Sequence, residues 1–163
     1  MIIALVMLAC VGCDQVAKTY ATAALANRQP IGVFGEMFRL QYTENTGAMM
    51  GVGGDLPAST RFWLFVVFNG CALLAILAYA ILGKSLRTAD IFSFSLILGG
   101  GAGNLIDRLF KGGVVIDFMI LTLGSLKTAI FNIADTAVLS GLLLLAISNL
   151  PWFANRLDDE GKS

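Results

Sequence analysis

The chain has 163 residues, 57% hydrophobic and only 13% charged, with a formal net charge of zero. A soluble domain carries roughly 25% charged residues, so this is the composition of a membrane protein of one domain, and its neutral balance gives no footprint for a nucleic-acid partner. Histidine is absent, and the three cysteines sit in apolar stretches, which excludes His-based triads and argues against zinc sites and a disulfide framework.

A membrane-crossing helix needs about 20 mainly apolar residues. Residues 1–26 form the first candidate, interrupted by Asp14, Gln15 and Lys18. No Lys or Arg precedes its apolar run, so it reads as a retained helix, not a processed signal peptide. Asp14 and Lys18 are one helical turn apart and spaced to pair. Residues 27–61 are mixed. Phe38-Arg39-Leu40-Gln41-Tyr42 alternates like an edge strand, Glu44-Asn45-Thr46-Gly47-Ala48 carries turn chemistry, and Gly51, Gly53, Gly54 and Pro57 then break the chain. A small extramembrane β-element is expected there.

Residues 62–82 contain no charge and are the clearest span. A short loop, Gly83 to Thr88, leads to a third span over residues 91–108. Its Gly99 and Gly103 have the small-xxx-small spacing that lets membrane helices approach closely. Asn104, Asp107 and Arg108 give it a polar end. The fourth span, residues 129–150, is interrupted only by Asn132 and Asp135 near its start, which puts Asp135 about 10 Å along that helix. Cys10, Cys13 and Cys71 are expected to be small buried packing residues.

Four spans leave both termini and the 83–88 loop on one face, and residues 27–61 and 109–127 on the other. Lys18, Arg28, Arg39, Arg61, Arg108, Lys111 and Lys127 fall on the long-loop face, so a simple positive-inside count would make that face cytoplasmic. The polar residues converge there too.

Asp117 and Asp135 carry the most chemical information. Ionisable groups within membrane segments usually face a protein interior and mark a functional site. Two carboxylates in one confined site can divide acid and base roles, one keeping the proton that the other has lost. The bland alternative makes Asp117 a loop carboxylate and Asp135 an ion-pair partner of Arg108. A different class of function, a small proton- or cation-coupled transporter, would use Asp14, Asp107, Asp117 and Asp135 as a relay. The acidic residues gather at one face, however, with none clearly at the midplane.

Five motifs occur in order: Asp14-Gln15-x-x-Lys18; Asn45-Thr46-Gly47-Ala48; Gly99-Gly100-x-x-Gly103-Asn104-x-x-Asp107-Arg108; Gly113-x-Val115-x-Asp117-Phe118; and Phe131-Asn132-x-Ala134-Asp135. Together they resemble the bacterial lipoprotein signal peptidase family, signal peptidase II. The resemblance implies an all-α membrane protein, residues 1–163 as one domain, with four transmembrane helices, a small periplasmic β-cradle and both termini cytoplasmic. That is the opposite orientation to the charge count. It implies an aspartyl endopeptidase of the bacterial inner membrane that hydrolyses the bond before a diacylglyceryl-modified cysteine of a prolipoprotein. Asp117 and Asp135 would be catalytic. Asp14, Lys18, Asn45, Gly47, Asn104, Arg108, Asn132 and Ala134 would line or support the site, with Asp107 structural. The expected partners are lipid-modified prolipoproteins, membrane lipid and cyclic peptide inhibitors. The protein is expected to act as a monomer with no metal or cofactor. Met49-Met50 and the extra glycine in Gly112-Gly113 depart from the family pattern without removing a motif residue.

Overall fold

A computed structural model describes residues 1–35, 37–83 and 86–150. Helix α1 (Ile2–Leu25) is followed by strands β1 (Ile31–Val33) and β2 (Phe38–Asn45). Next come α2 (Ala58–Leu82), α3 (Thr88–Phe110), strands β3 (Val115–Leu123) and β4 (Leu126–Lys127), and α4 (Ile133–Ser148). Helices α1, α2 and α3 are long and apolar enough to cross a membrane, and α4 is a shorter apolar helix. Large apolar side chains such as Leu5, Leu8, Trp63, Leu74, Leu142 and Leu143 stand exposed on the outside of these helices. In water such a surface would be a liability; against lipid it is the expected exterior. Of the loop at 83–88, Lys84 and Ser85 lie outside the described residues, as does the chain beyond Leu150, with Arg156 and Lys162.

Close backbone approach holds the centre of the bundle together. A Cβ on Gly100 would collide with the Ala134 carbonyl oxygen, and one on Gly103 would come within 2.8 Å of an Asp14 carboxylate oxygen. Glycine at these positions lets α3 seat both α1 and α4 against its own backbone. At the other end of α3, Arg87 and Asp90 form a capping box, and the Arg87 guanidinium donates to the Ser148 carbonyl at 2.7 Å. That contact ties the start of α3 to the end of α4.

The four strands form one antiparallel sheet in the order β1-β2-β3-β4. The β-element is therefore larger than residues 27–61. β3 belongs to it, and β2 is an inner strand, not an edge. The alternation test missed β3 because Val115 to Phe118 are all buried, so its two faces carry no polar contrast. Leu40 pairs with Met119 and Thr43 with Asp117, so β2 carries one extra residue, a bulge, beside Asp117. Phe118, packed with Ala21 and Leu25, seats the sheet on the end of α1.

Two further expectations are corrected. Helix α4 starts at Ile133, not 129: Phe131 is engaged in a bridge with Met119, and Asn132 caps the helix. Asp135 is thus in the first turn, not two turns deep. Of the cysteines, Cys13 and Cys71 are exposed on the outer helix faces and only Cys10 is partly covered. In a bilayer-facing position a thiol is simply a small apolar group, so burial in protein is not required.

Candidate active site

Asp117 sits on β3, one strand across from Thr43 in register, and is 2% exposed. One of its carboxylate oxygens accepts from Asn132 Nδ2 at 2.6 Å, and the other from Asn45 Nδ2 at 2.9 Å. Asp135 occupies the third position of α4. There its carboxylate accepts from the backbone N–H of Asn132 (3.2 Å), while its own N–H donates to Asn132 Oδ1 (2.8 Å). This reciprocal capping box satisfies two of the donors that a helix N-terminus leaves open. The remaining Asp135 oxygen accepts from Asn104 Nδ2 at 2.8 Å.

The two carboxylates are joined through amides. Asn132 Nδ2 donates both to Asp117 and to Asn104 Oδ1 (3.1 Å), and Asn104 donates on to Asp135. The orientation of Asn104 is fixed by Lys18, whose Nζ donates to the same Oδ1 at 2.9 Å. Both aspartates line one cavity of about 440 Å³, walled otherwise by Asn45, Asn104, Arg108 and apolar residues of α2 such as Phe65 and Phe68.

Beneath this layer lies a fully buried charge cluster. Lys18 Nζ contacts Asp14 at 2.7 Å and Asp107 at 2.8 Å, with all three side chains inaccessible. Asp14 also accepts from the backbone N–H of Ala134 at 2.9 Å, which ties α1 to the first turn of α4. Asp107 further takes Lys111 (2.8 Å), Gln15 Nε2 (3.0 Å) and the N–H of Ile116 (3.3 Å). Asp107 therefore does more than its reading as a structural residue suggested: it fixes the residue next to Asp117. Gln15 and Lys111 were likewise not among the expected site residues. Gln15 stood in the first motif, but an amide on an apolar helix carries little signal of its own.

Arg108 makes no ion pair with Asp135 among the described residues, which sets the bland alternative aside. Its guanidinium donates to the Gly47 carbonyl at 2.7 Å and lies over the Phe65 ring at 5.4 Å, within electrostatic reach of Asp135 and Asp117. Gly47 is held at the turn by Asn45 Oδ1, which accepts its N–H at 2.9 Å. A Cβ there would press on the Gly51 carbonyl oxygen at 2.5 Å, so the turn has room only for glycine. Asn45 also donates to Ala48 at 3.1 Å, so one amide both shapes the turn and holds Asp117.

Burial pushes the Asp117 carboxyl up to about 6; the Asp135 charge adds to this, while the Asn45 and Asn132 donors pull it back. The folded protein thus binds this proton more tightly than an unfolded chain does. Stability from Asp117 is complete below the ordinary value of 3.8 and is lost as the pH rises through about 6. The gap amounts to about 3 kcal/mol. Thermal unfolding measured from pH 4 to 7 should show the wild type losing stability relative to Asp117→Asn across that window. Parallel curves would contradict it.

The geometry offers two carboxylates at one cavity, each held by neutral donors, with a cation nearby to balance charge. That is the equipment of an acid–base pair. Residues 6–151 match the signal peptidase (SPase) II family. The lipoprotein signal peptidase of Leifsonia xyli subsp. xyli (strain CTCB07) is 34% identical, covering 98% of this chain and 73% of that protein. The lipoprotein signal peptidase of Chlorobium phaeobacteroides (strain BS1) is also 34% identical, over 82% of this chain and 86% of its own. Among solved structures, a bacterial membrane enzyme determined by the in meso method at 1.9 Å superposes with a TM-score of 0.78 at 25% identity, covering 91% of this chain and 92% of that one. A transporter reading has no place beside these matches: the chain belongs to the signal peptidase II family, a family of membrane proteases.

Proposed function

We propose that this protein removes the signal peptide from prolipoproteins by hydrolysing the bond before a diacylglyceryl-modified cysteine, with Asp117 and Asp135 as its catalytic pair. The observation that carries this reading is the shared cavity, lined by both carboxylates and bridged by Asn132 and Asn104. The pair holds one proton between its members, because two like charges in a confined site cannot both form cheaply. The ionised aspartate takes a proton from water as that water attacks the scissile carbonyl. The protonated one donates its proton to the carbonyl oxygen. As the resulting diol collapses, the aspartate that took the water proton passes it to the leaving amine, and its partner recovers a proton from a diol hydroxyl, so that the pair again holds one. Asn45 and Arg108 hold the turn at Gly47 over the cavity, and Asn104, Asn132, Asp14 and Lys18 keep the carboxylates in place.

In this reading α4 is the fourth span and the protein is a monomer of the bacterial inner membrane. Both termini are cytoplasmic and the sheet, with the site, lies at the periplasmic face. The first turn of α4 then meets the membrane surface, where Asp135 can reach water. Two acyl chains at about 0.8 kcal/mol per buried CH₂ hold the substrate at a fixed depth, and so hold the bond beside the aspartates. Cyclic peptides that copy the cleavage segment are expected to block the same cavity. Purified protein given matched substrates with and without the diacylglyceryl group should cleave only the modified one. Equal cleavage of both would overturn the reading.

A further inference from the structure

Helix α2 carries a carboxamide that the proposed hydrolysis does not employ. Asn69 is the one Asn or Gln in the apolar run from Phe62 to Leu82. It lines the cavity that holds Asp117 and Asp135. Its side chain makes no hydrogen bond among the described residues, whereas Asn45, Asn104 and Asn132 all donate to the aspartates. An amide left unpaired in a membrane-spanning helix is costly, and the cavity that Asn69 lines offers a place for a partner to stand.

The placement is specific. A Cβ on Gly70 would touch Leu105 at 3.7 Å, and one on Gly101 would meet the Leu73 side chain. Helices α2 and α3 are therefore matched so that Asn69 stands level with Asn104, the residue whose amide holds Asp135. Asn69 also follows directly on a π-helical stretch, Trp63–Phe68. Leu64, Phe65, Phe68 and Asn69 share one face of this segment and lie together on the cavity wall. π-helical insertions of this kind are rare and concentrate at functional sites.

We infer that Asn69 is a substrate-positioning residue whose carboxamide donates a hydrogen bond to a carbonyl oxygen of the substrate bound beside Asp117 and Asp135. The inference rests on the proposed peptidase reading and deepens it. Across the cavity from the aspartates, α2 offers otherwise apolar walls, fit for acyl chains. One donor there selects a substrate that carries a carbonyl at the depth of the scissile bond. Two parts of a lipid-modified prolipoprotein supply such an oxygen: the main chain beside the modified cysteine and the ester groups of its diacylglyceryl unit.

Cleavage kinetics of wild type and of the variants Asn69→Leu and Asn69→Gln test this on diacylglyceryl- and dialkylglyceryl-modified peptides, the second having ether links and no ester carbonyl. One net hydrogen bond predicts a rise in KM of about three- to tenfold for Asn69→Leu on the ester substrate, with Asn69→Gln recovering part of it. KM does not depend on how much of the enzyme is folded, so a KM within twofold of wild type overturns the inference whatever happens to the rate. A penalty that vanishes on the ether substrate assigns the oxygen to the ester; one that persists assigns it to the main chain. Wild-type cleavage in the same assay reports on the peptidase reading separately. A wild type that cleaves neither substrate sinks that reading and this one together, while normal cleavage by Asn69→Leu sinks only this one.

Discussion

Single Asp117→Asn and Asp135→Asn variants are each expected to lose on the order of 10³-fold in cleavage rate while the protein still inserts and folds. The loss should be nearly as large for either variant alone as for both together, since an acid without its base partner does little. The substitutions are not silent in structure. All four carboxylate oxygens already accept a hydrogen bond: Asp117 from Asn132 and Asn45, Asp135 from Asn104 and the Asn132 backbone. An amide in either place turns an NH₂ toward one of those donors, which costs about 1–3 kcal/mol. Melting temperature should therefore be read beside single-turnover cleavage. A variant that folds and keeps a tenth of the wild-type rate would remove that aspartate from the chemistry.

The largest effect on stability is expected at Lys18. Its ammonium is inaccessible and is shared by Asp14, Asp107 and Asn104. Replacing it with methionine keeps much of the volume but leaves two buried carboxylates facing each other, a loss of about 3–5 kcal/mol for breaking such a cluster. Lys111 still reaches Asp107 from its partly exposed position, so Asp14 bears more of the damage. The double variant Lys18→Met, Asp14→Asn should recover part of the loss, which thermal unfolding in detergent would measure. Activity should fall in the molecules that remain folded, because Asn104 loses one of the two donors, Lys18 and Asn132, that orient it toward Asp135. An unchanged melting temperature for Lys18→Met would mean that the cluster is not buried as described.

Much of this was legible in the chain, for reasons that differ from residue to residue. Helices α1, α2 and α3 showed themselves by apolar length alone, which the membrane imposes independently of the fold. Asp14 and Lys18 could be paired because four residues along a helix is one turn. The residues of the five motifs could be gathered because the resemblance orders them; spacing alone does not bring Asn45 to Asp117, whose side chains meet because β2 and β3 are neighbours in the sheet. β3 was hidden by being buried on both faces. The depth of Asp135 was misjudged because Ala129, Ile130 and Phe131 are apolar and read as helix, although the Asn132-x-x-Asp135 pattern is itself a capping signal. Asp107 looked like one member of a polar trio, and only the folded chain shows four separate partners meeting on it. Asn69 was invisible for a simpler reason: one amide does not change the reading of an apolar span.

Because Asp14 accepts a hydrogen bond from the Ala134 backbone, the first helix and the last described one are clasped together. Translation delivers these pieces in order, with Asp14 and Lys18 entering the bilayer well ahead of Asp107, and Asp107 ahead of Ala134. A partly synthesised molecule thus carries Asp117 before the Asn132 amide that braces it. With Asp117 and Asp135 as the proposed catalytic pair, hydrolytic competence arrives only with α4, so the order of biosynthesis keeps a half-made protease inert.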